Sequence, residues 1–180
     1  YTTQLTTEPY TISRANITTF GTFAVGNFTG FVSGDGDYRS HQSGPWSNVN
    51  TWERNNGATW VYPAPSAPTF SDSVITIQSG HVVNVSDSVF ADQIVVSVGG
   101  TLKVDSAKTL ALSNGTGTDL TVLGTIASAG TLNMSSGGTM SVGNGGTYEQ
   151  AQNGGVIPVA TWNTGSLFKV TGTIAATSFT

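Results

Sequence analysis

From residue 73 onward, apolar and polar residues alternate in short runs: "SVITIQ" (73–78), "HVVNVS" (81–86), "QIVVSV" (93–98), "TLKV" (101–104), "TLAL" (109–112) and "LTVLGTIA" (120–127). The alternation continues in "TLNM" (131–134), "TMSV" (139–142), "SLFKV" (166–170) and "TGTIAA" (171–176). A period of two over four to six residues, rich in β-branched side chains and bounded by Gly, Asn or Ser, predicts strands. No segment repeats its apolar residues at helical spacing, and each Gly would weaken a helix by up to about 1 kcal/mol. The pattern predicts an all-β chain.

Spacing then separates a sandwich from a solenoid. Thr-led starts at Thr101, Thr109, Thr125, Thr131, Thr139 and Thr147 are joined by only a few small residues. Sandwich strands come roughly every 8 to 12 residues with hairpin chemistry between them. Here the punctuation is single or paired Gly, and Asn114-Gly115 and Asn144-Gly145 are the exceptions that resemble hairpin turns. Three sides would close a turn of roughly 20 residues, which is solenoid spacing. The expectation is a right-handed parallel β-helix over residues 73–180 with about five rungs, its corner glycines supplying positive φ. A β-sandwich is the alternative.

Two regions precede the stack. Residues 1–32 carry alternating stretches with Ile12, Ile17, Phe20, Phe23 and Val25 as apolar positions. Two or three strands are marginal alone in water, so these N-terminal strands are expected to flank the helix or, preferably, to be exchanged with a neighbouring subunit by strand addition. Residues 33–72 form an aromatic cap or loop region with Trp46, Trp52, Trp60, Tyr38 and Tyr62. Such a cluster can plug the apolar end of a solenoid. Alternatively, Trp46, Trp52, Trp60 and Tyr62 form a sugar-stacking platform.

Composition narrows the function. Charged residues are 9% of the chain, against roughly 25% in an average soluble domain, so the surface is neutral and hydroxyl-rich. The net charge is -4 with six Lys and Arg, scattered as Arg14, Arg39, Arg54, Lys103, Lys108 and Lys169. They form no basic stripe for phosphates, so nucleic acid is not an expected partner. No run is apolar enough to insert into a membrane. The absence of Cys excludes disulfides and thiol chemistry. The chain begins at Tyr1 with neither Met nor a signal-peptide pattern, suggesting that a leader or upstream region has been removed. Low charge and abundant Thr, Ser, Asn and Gly point to an extracellular or cell-surface location.

"GPWSNVNTW", then "PSAPTFSDSVITIQSGHVVNVSD", then "GGTLKV" place Gly44 with Trp46, Thr51-Trp52, Pro68, Asp72, Val74, Gly80-His81 and Val83 with Val85 in one order. This resembles the opening of β-helix modules in large secreted and surface proteins of Bacteroidetes, and loosely the G8 domain, over about residues 38–150. The resemblance implies a bacterial stalk or adhesin module. Asp72-Ser73-Val74, Asp87-Ser88-Val89 and Asp105-Ser106-Ala107 resemble the Asp-Ser/Thr-aliphatic O-glycosylation signal of that phylum, making Ser73, Ser88 and Ser106 candidate sites. Turn-forming Asp-Ser pairs are the plainer reading.

Catalytic groups are sparse. His41 and His81 lie in turn-like contexts and no Gly-x-Ser-x-Gly frames a nucleophile. His81 is expected at a corner, bonded to a neighbouring backbone group. Asp87, Asp92, Asp105, Asp119 and Glu149 are spread thinly, although Asp87, Asp105 and Lys103 could align on adjacent rungs. Asp35 and Asp37 flank a Gly as in a calcium loop, but that run continues into Arg39. The expectation is therefore a non-enzymatic structural subunit of an extracellular filament, stalk or adhesin, without cofactor. Its expected partners are copies of itself or neighbouring domains, associating head to tail. A carbohydrate-binding module is the alternative, and a polysaccharide lyase or hydrolase ranks below it.

Overall fold

Alternating sequences become strands when one face has a core to meet, and here each rung supplies the core of the next. The computed structural model describes residues 34–172, which belong to the second of the two units into which the chain divides, Val32–Thr180. The strands are β1 (Tyr38–Ser40), β2 (Gly44–Pro45), β3 (Trp52–Asn55), β4 (Trp60–Val61), β5 (Ile75–Ile77) and β6 (Val82–Val85). They continue as β7 (Val89–Ala91), β8 (Ile94–Val96), β9 (Thr101–Val104), β10 (Thr109–Leu112), β11 (Leu120–Val122) and β12 (Thr125–Ser128). The last are β13 (Thr131–Met134), β14 (Met140–Val142), β15 (Thr147–Gln150), β16 (Thr161–Trp162) and β17 (Leu167–Val170).

Successive strands do not pair with each other along the stack; each pairs in parallel with its equivalent one turn away. The result is a β-helix of about four turns with three faces. The first face runs β16-β14-β11-β8-β5-β1, the second β17-β15-β12-β9-β6-β2, and the third β13-β10-β7. Ile75 lies over Ile94, Ile94 over Leu120, and Leu120 over Met140. On the second face Val83, Leu102, Ile126, Tyr148 and Phe168 form the matching column. Apart from Phe168 in the last rung, these side chains are buried, and each aliphatic one contributes about 1.5–3 kcal/mol by leaving water. Thr101, Thr125 and Thr147 stack in the adjacent outward column.

The recurring Gly-Thr phrase has two separate physical reasons. Gly99 and Gly145 have φ of 77° each, the left-handed conformation that L side chains avoid. The glycine immediately before each Thr does something else. A Cβ at Gly100 would lie 2.8 Å from the Ile77 carbonyl oxygen, and one at Gly124 or Gly146 would overlap carbonyl oxygens of the turn below. Positive φ was the expected role of the corner glycines; at these three it is clearance between backbones.

Two sequence boundaries shift. The ladder starts at β1 and β2, inside the region read as a cap, because Tyr38 pairs with Ile75 and Gly44 with Val83. "LTVLGTIA" is two strands separated by a Leu123-Gly124 corner. The third face stops at β13, where Leu132 and Met134 are only half-buried. The expected N-terminal strands, residues 1–32, lie outside the described residues, as does part of the run at 171–176.

Candidate functional site

The first rung is closed by the segment that follows β2. β3 pairs antiparallel with β1, and β4 with β3, so the outer edge of the first face is already occupied. Trp46 and Trp52 meet edge to face, with centroids 4.9 Å apart, and Tyr38 packs on Trp52 at 6.4 Å. The Trp52 indole N–H donates to the Trp46 carbonyl at 2.8 Å, and that of Trp46 to the Pro68 carbonyl at 2.9 Å. Trp46 is 2% exposed and Trp52 0%. Both rings are therefore plug, and the expectation that they stack on sugar is corrected: their faces are spent on the core and their N–H groups on backbone.

Outside the plug lies a polar cluster. Glu53 accepts from Arg39 Nε at 2.5 Å and from His41 Nδ1 at 2.7 Å. Burial acts to raise the Glu53 pKa, but the hydrogen bonds and charges of Arg39 and His41 outweigh it and hold the carboxyl below its ordinary value. The Arg39 guanidinium also sits 4.2 Å from the centre of the Trp60 ring, and His41 stacks on Tyr62 at 3.8 Å. Trp60 and Tyr62 thus remain at the surface, half-buried and exposed respectively. Beside them, Trp60, Asp37, Arg39, Thr76 and Gln78 line a groove of about 250 Å³.

The other candidates are separated. Ser40 is fully buried; its Oγ accepts the Gln78 N–H at 2.9 Å and lies 2.8 Å from His81 Nδ1. His81 therefore bonds a side chain where a backbone partner was expected, and the buried hydroxyl acts as a joint between the first two rungs. Asp35 pairs with Arg54 at 3.5 Å, while Asp37 Oδ1 accepts the Val74 N–H at 3.1 Å. Among the described residues no group of three His, Cys, Asp or Glu converges in a metal-holding arrangement. Asp87 and Asp105 are exposed at corners, and Lys103 pairs in register with Asn84. Of the candidate modification sites, Ser73 donates to the Asp35 carbonyl at 3.1 Å and Ser88 accepts the Thr109 N–H at 3.1 Å. Ser106 is exposed in a turn.

One pairing has no signature in the sequence. Asp92 and Asp119 stand before β8 and β11 on adjacent turns, and their carboxyl groups hydrogen-bond each other. Asp119 also accepts the Gly115 N–H at 2.8 Å, the Thr139 N–H at 2.6 Å and the Thr139 hydroxyl at 3.0 Å. Burial, assisted by Asp119, raises the Asp92 pKa against the opposing Gln93 N–H. Burial pushes Asp119 the same way, but the donors from Thr139 and Gly115, with Asp92, bring it below its ordinary value. The pair is buried and ties the 113–119 loop to the stack.

At the far end the arrangement is different. Phe168 stacks on buried Tyr148 at 5.9 Å and 7°, and Trp162 meets both rings edge-on at 6.3 and 6.0 Å. Leu167 is 53% exposed and Trp162 39%, with Phe168 and Val170 close behind. The apolar positions expected to carry self-association, Ile12, Ile17, Phe20, Phe23 and Val25, lie outside the described residues. No family model matches the chain, and no curated protein or solved structure matches it.

Proposed function

We propose that this chain is a structural module of an extracellular filament, stalk or adhesin, without catalysis, which joins the next copy through its open last rung. The observation that carries this reading is the inequality of the two ends. The first rung is sealed by buried tryptophans and an antiparallel hairpin, whereas β17 and β16 leave Leu167, Phe168, Val170 and Trp162 in water. An exposed apolar edge of this kind is a template for another strand. Because β3 already occupies the outer edge of the first face at the other end, the joining strand is assigned to residues 1–31 of the neighbour, with Ile12, Ile17, Phe20, Phe23 and Val25 as its apolar positions. Such a contact uses different surfaces on the two copies, so it is heterologous and builds filaments when it does not close. Stacked rungs supply the stiffness, and the net charge of -4 per copy opposes lateral association.

Electron microscopy and light scattering of the full chain, the chain lacking residues 1–31, and Leu167→Lys/Phe168→Lys test it. Filaments from the full chain and monomers from both variants are expected. Monodisperse single particles of the full chain at high concentration overturn the reading.

A further inference from the structure

The outer surface of the first face carries a second kind of chemistry, independent of the open end. Arg39 on β1 and Thr76 on β5 are Cα partners, with Asp37 and Gln78 beside them along the same strands' extensions. Trp60, brought in by β4, closes the groove of about 250 Å³ that these side chains line. The space is below the roughly 300–1,000 Å³ of drug-sized pockets and suits one small polar ring.

Most of the polar groups are already held in place. Arg39 is fixed between Glu53, at 2.5 Å, and the Trp60 ring, at 4.2 Å. Asp37 is pinned by the Val74 N–H at 3.1 Å. The Gln78 side-chain nitrogen is committed to the Ser40 carbonyl at 2.6 Å, so the group it offers the groove is an acceptor, Oε1. The Arg39 terminal nitrogens and the Thr76 hydroxyl supply donors, and Asp37 and Gln78 supply acceptors, around one aromatic wall. Groups ordered before binding lose little entropy on engaging a ligand. Arg39 covers part of the Trp60 ring, so the indole acts as a side wall while the surrounding donors and acceptors set orientation.

Donors and acceptors interleaved around an aromatic wall match a ring that is apolar in its C–H face and hydroxylated at its rim. Charge excludes an acidic ring. Glu53 neutralises Arg39, Asp37 adds a negative charge, and the chain as a whole is at -4, so a carboxylate or sulfate ligand would meet repulsion. We propose that this groove binds one neutral pyranose unit of a glycan. Of the four aromatics expected to take sugar, Trp60 alone lines this groove; Arg39, Asp37, Thr76 and Gln78 take the remaining roles.

The test is titration of the full chain with neutral monosaccharides and disaccharides, and with matched uronic-acid and sulfated sugars, followed by calorimetry and tryptophan fluorescence. Leu167→Lys/Phe168→Lys, which removes the proposed polymer contact, is titrated in parallel, so failure of self-association and failure of sugar binding are read separately. A neutral sugar should bind both backgrounds alike. Thr76→Val, close in shape and on the outer face, should weaken binding by about tenfold or less through one lost hydrogen bond. Trp60→Ala should weaken it by about tenfold or more, with Trp60→Phe recovering most of the loss. Melting curves establish that each variant is folded. Absence of binding by every neutral sugar, preference for the acidic series, or binding unchanged in both Trp60→Ala and Thr76→Val overturns the proposal.

Discussion

At the first rung, two tryptophans turn their faces inward, spend their N–H groups on backbone carbonyls and lie under a hairpin that occupies the outer strand edge. At the last rung, Trp162, Leu167, Phe168 and Val170 continue the same inward and outward columns, and among the described residues no further strand pairs beyond them. On the first two faces the repeat is therefore indifferent to where it stops, since each strand there is built to receive another. Termination is a separate device, and it occupies one end of the described stack. That is why aromatic residues clustered in sequence mean different things here: buried Trp52 ends the ladder, and half-exposed Trp162 extends it.

The sharpest way to break this comparison is to truncate an aromatic at each end. Trp52→Ala should cost about 3–5 kcal/mol of unfolding free energy, the range for large buried aromatics. Trp162→Ala, on the water-facing rung, should cost about 1 kcal/mol or less. Urea denaturation of the two variants measures both; equal losses would show that the ends are sealed alike.

The interior of the stack gives the next largest effect. Gly124→Ala drives a Cβ into backbone carbonyls of the turn below, and overpacking of this kind costs about 1–3 kcal/mol. At Gly80, where φ is 79° and nothing lies within 4 Å, the Ala variant should lose about 1–2 kcal/mol for left-handed backbone alone. Thermal melts of the two separate clearance from conformation; the order reversed would mean that the corner yields.

The smallest effect concerns pH. Asp92 has a raised folded-state pKa, so the folded protein holds its proton more tightly than the unfolded chain does. Its stabilising contribution is present below the ordinary carboxylate value and is lost as pH rises through the raised one. Asp119 and Glu53 are depressed; their contribution is present above the ordinary value and is lost as pH falls through theirs. Asp92→Asn keeps a hydrogen-bonding group beside Asp119 and removes the second charge. The variant should match the wild type near about pH 4 and melt higher near about pH 7. Melting curves that stay parallel across that range would sink the assignment.

The stack was legible because its inward residues are aliphatic. Ile75, Ile77, Val83, Val85, Ile94, Val96, Leu102 and Val104 alternate with polar neighbours and are buried as the period requires. Legibility fails where an inward position is polar. Ser40, Ser128 and Gln150 are buried and satisfied by partners that the local pattern does not announce: Gln78 and His81 for Ser40, the Gly130 carbonyl for Ser128, Tyr148 and the Gly154 carbonyl for Gln150. β1 and β2 carried no alternation to detect, since "YRS" and "GP" are strands because β3, β5 and β6 lie beside them. The candidate groove was legible only in part: Trp60 belongs to the aromatic cluster of the sequence and lines the groove, but which rings face water depends on tertiary hydrogen bonds. Arg39, Thr76 and Gln78 gave no signal in isolation; their outward phase on paired strands could have raised them once β1 was known.

The glycine before each Thr has a genetic consequence. A side chain that clashes with another side chain can be rescued by trimming the neighbour, but at Gly124 and Gly146 the obstacle is a carbonyl oxygen, which every substitution of that neighbour leaves in place. Second-site suppressors of Gly124→Ala should therefore be absent among neighbouring side chains. The 113–119 corner, by contrast, lengthens the turn between Ile94 and Leu120 relative to those above and below. Drift in this lineage is expected to insert and delete residues at that corner while the glycine corner stays invariant.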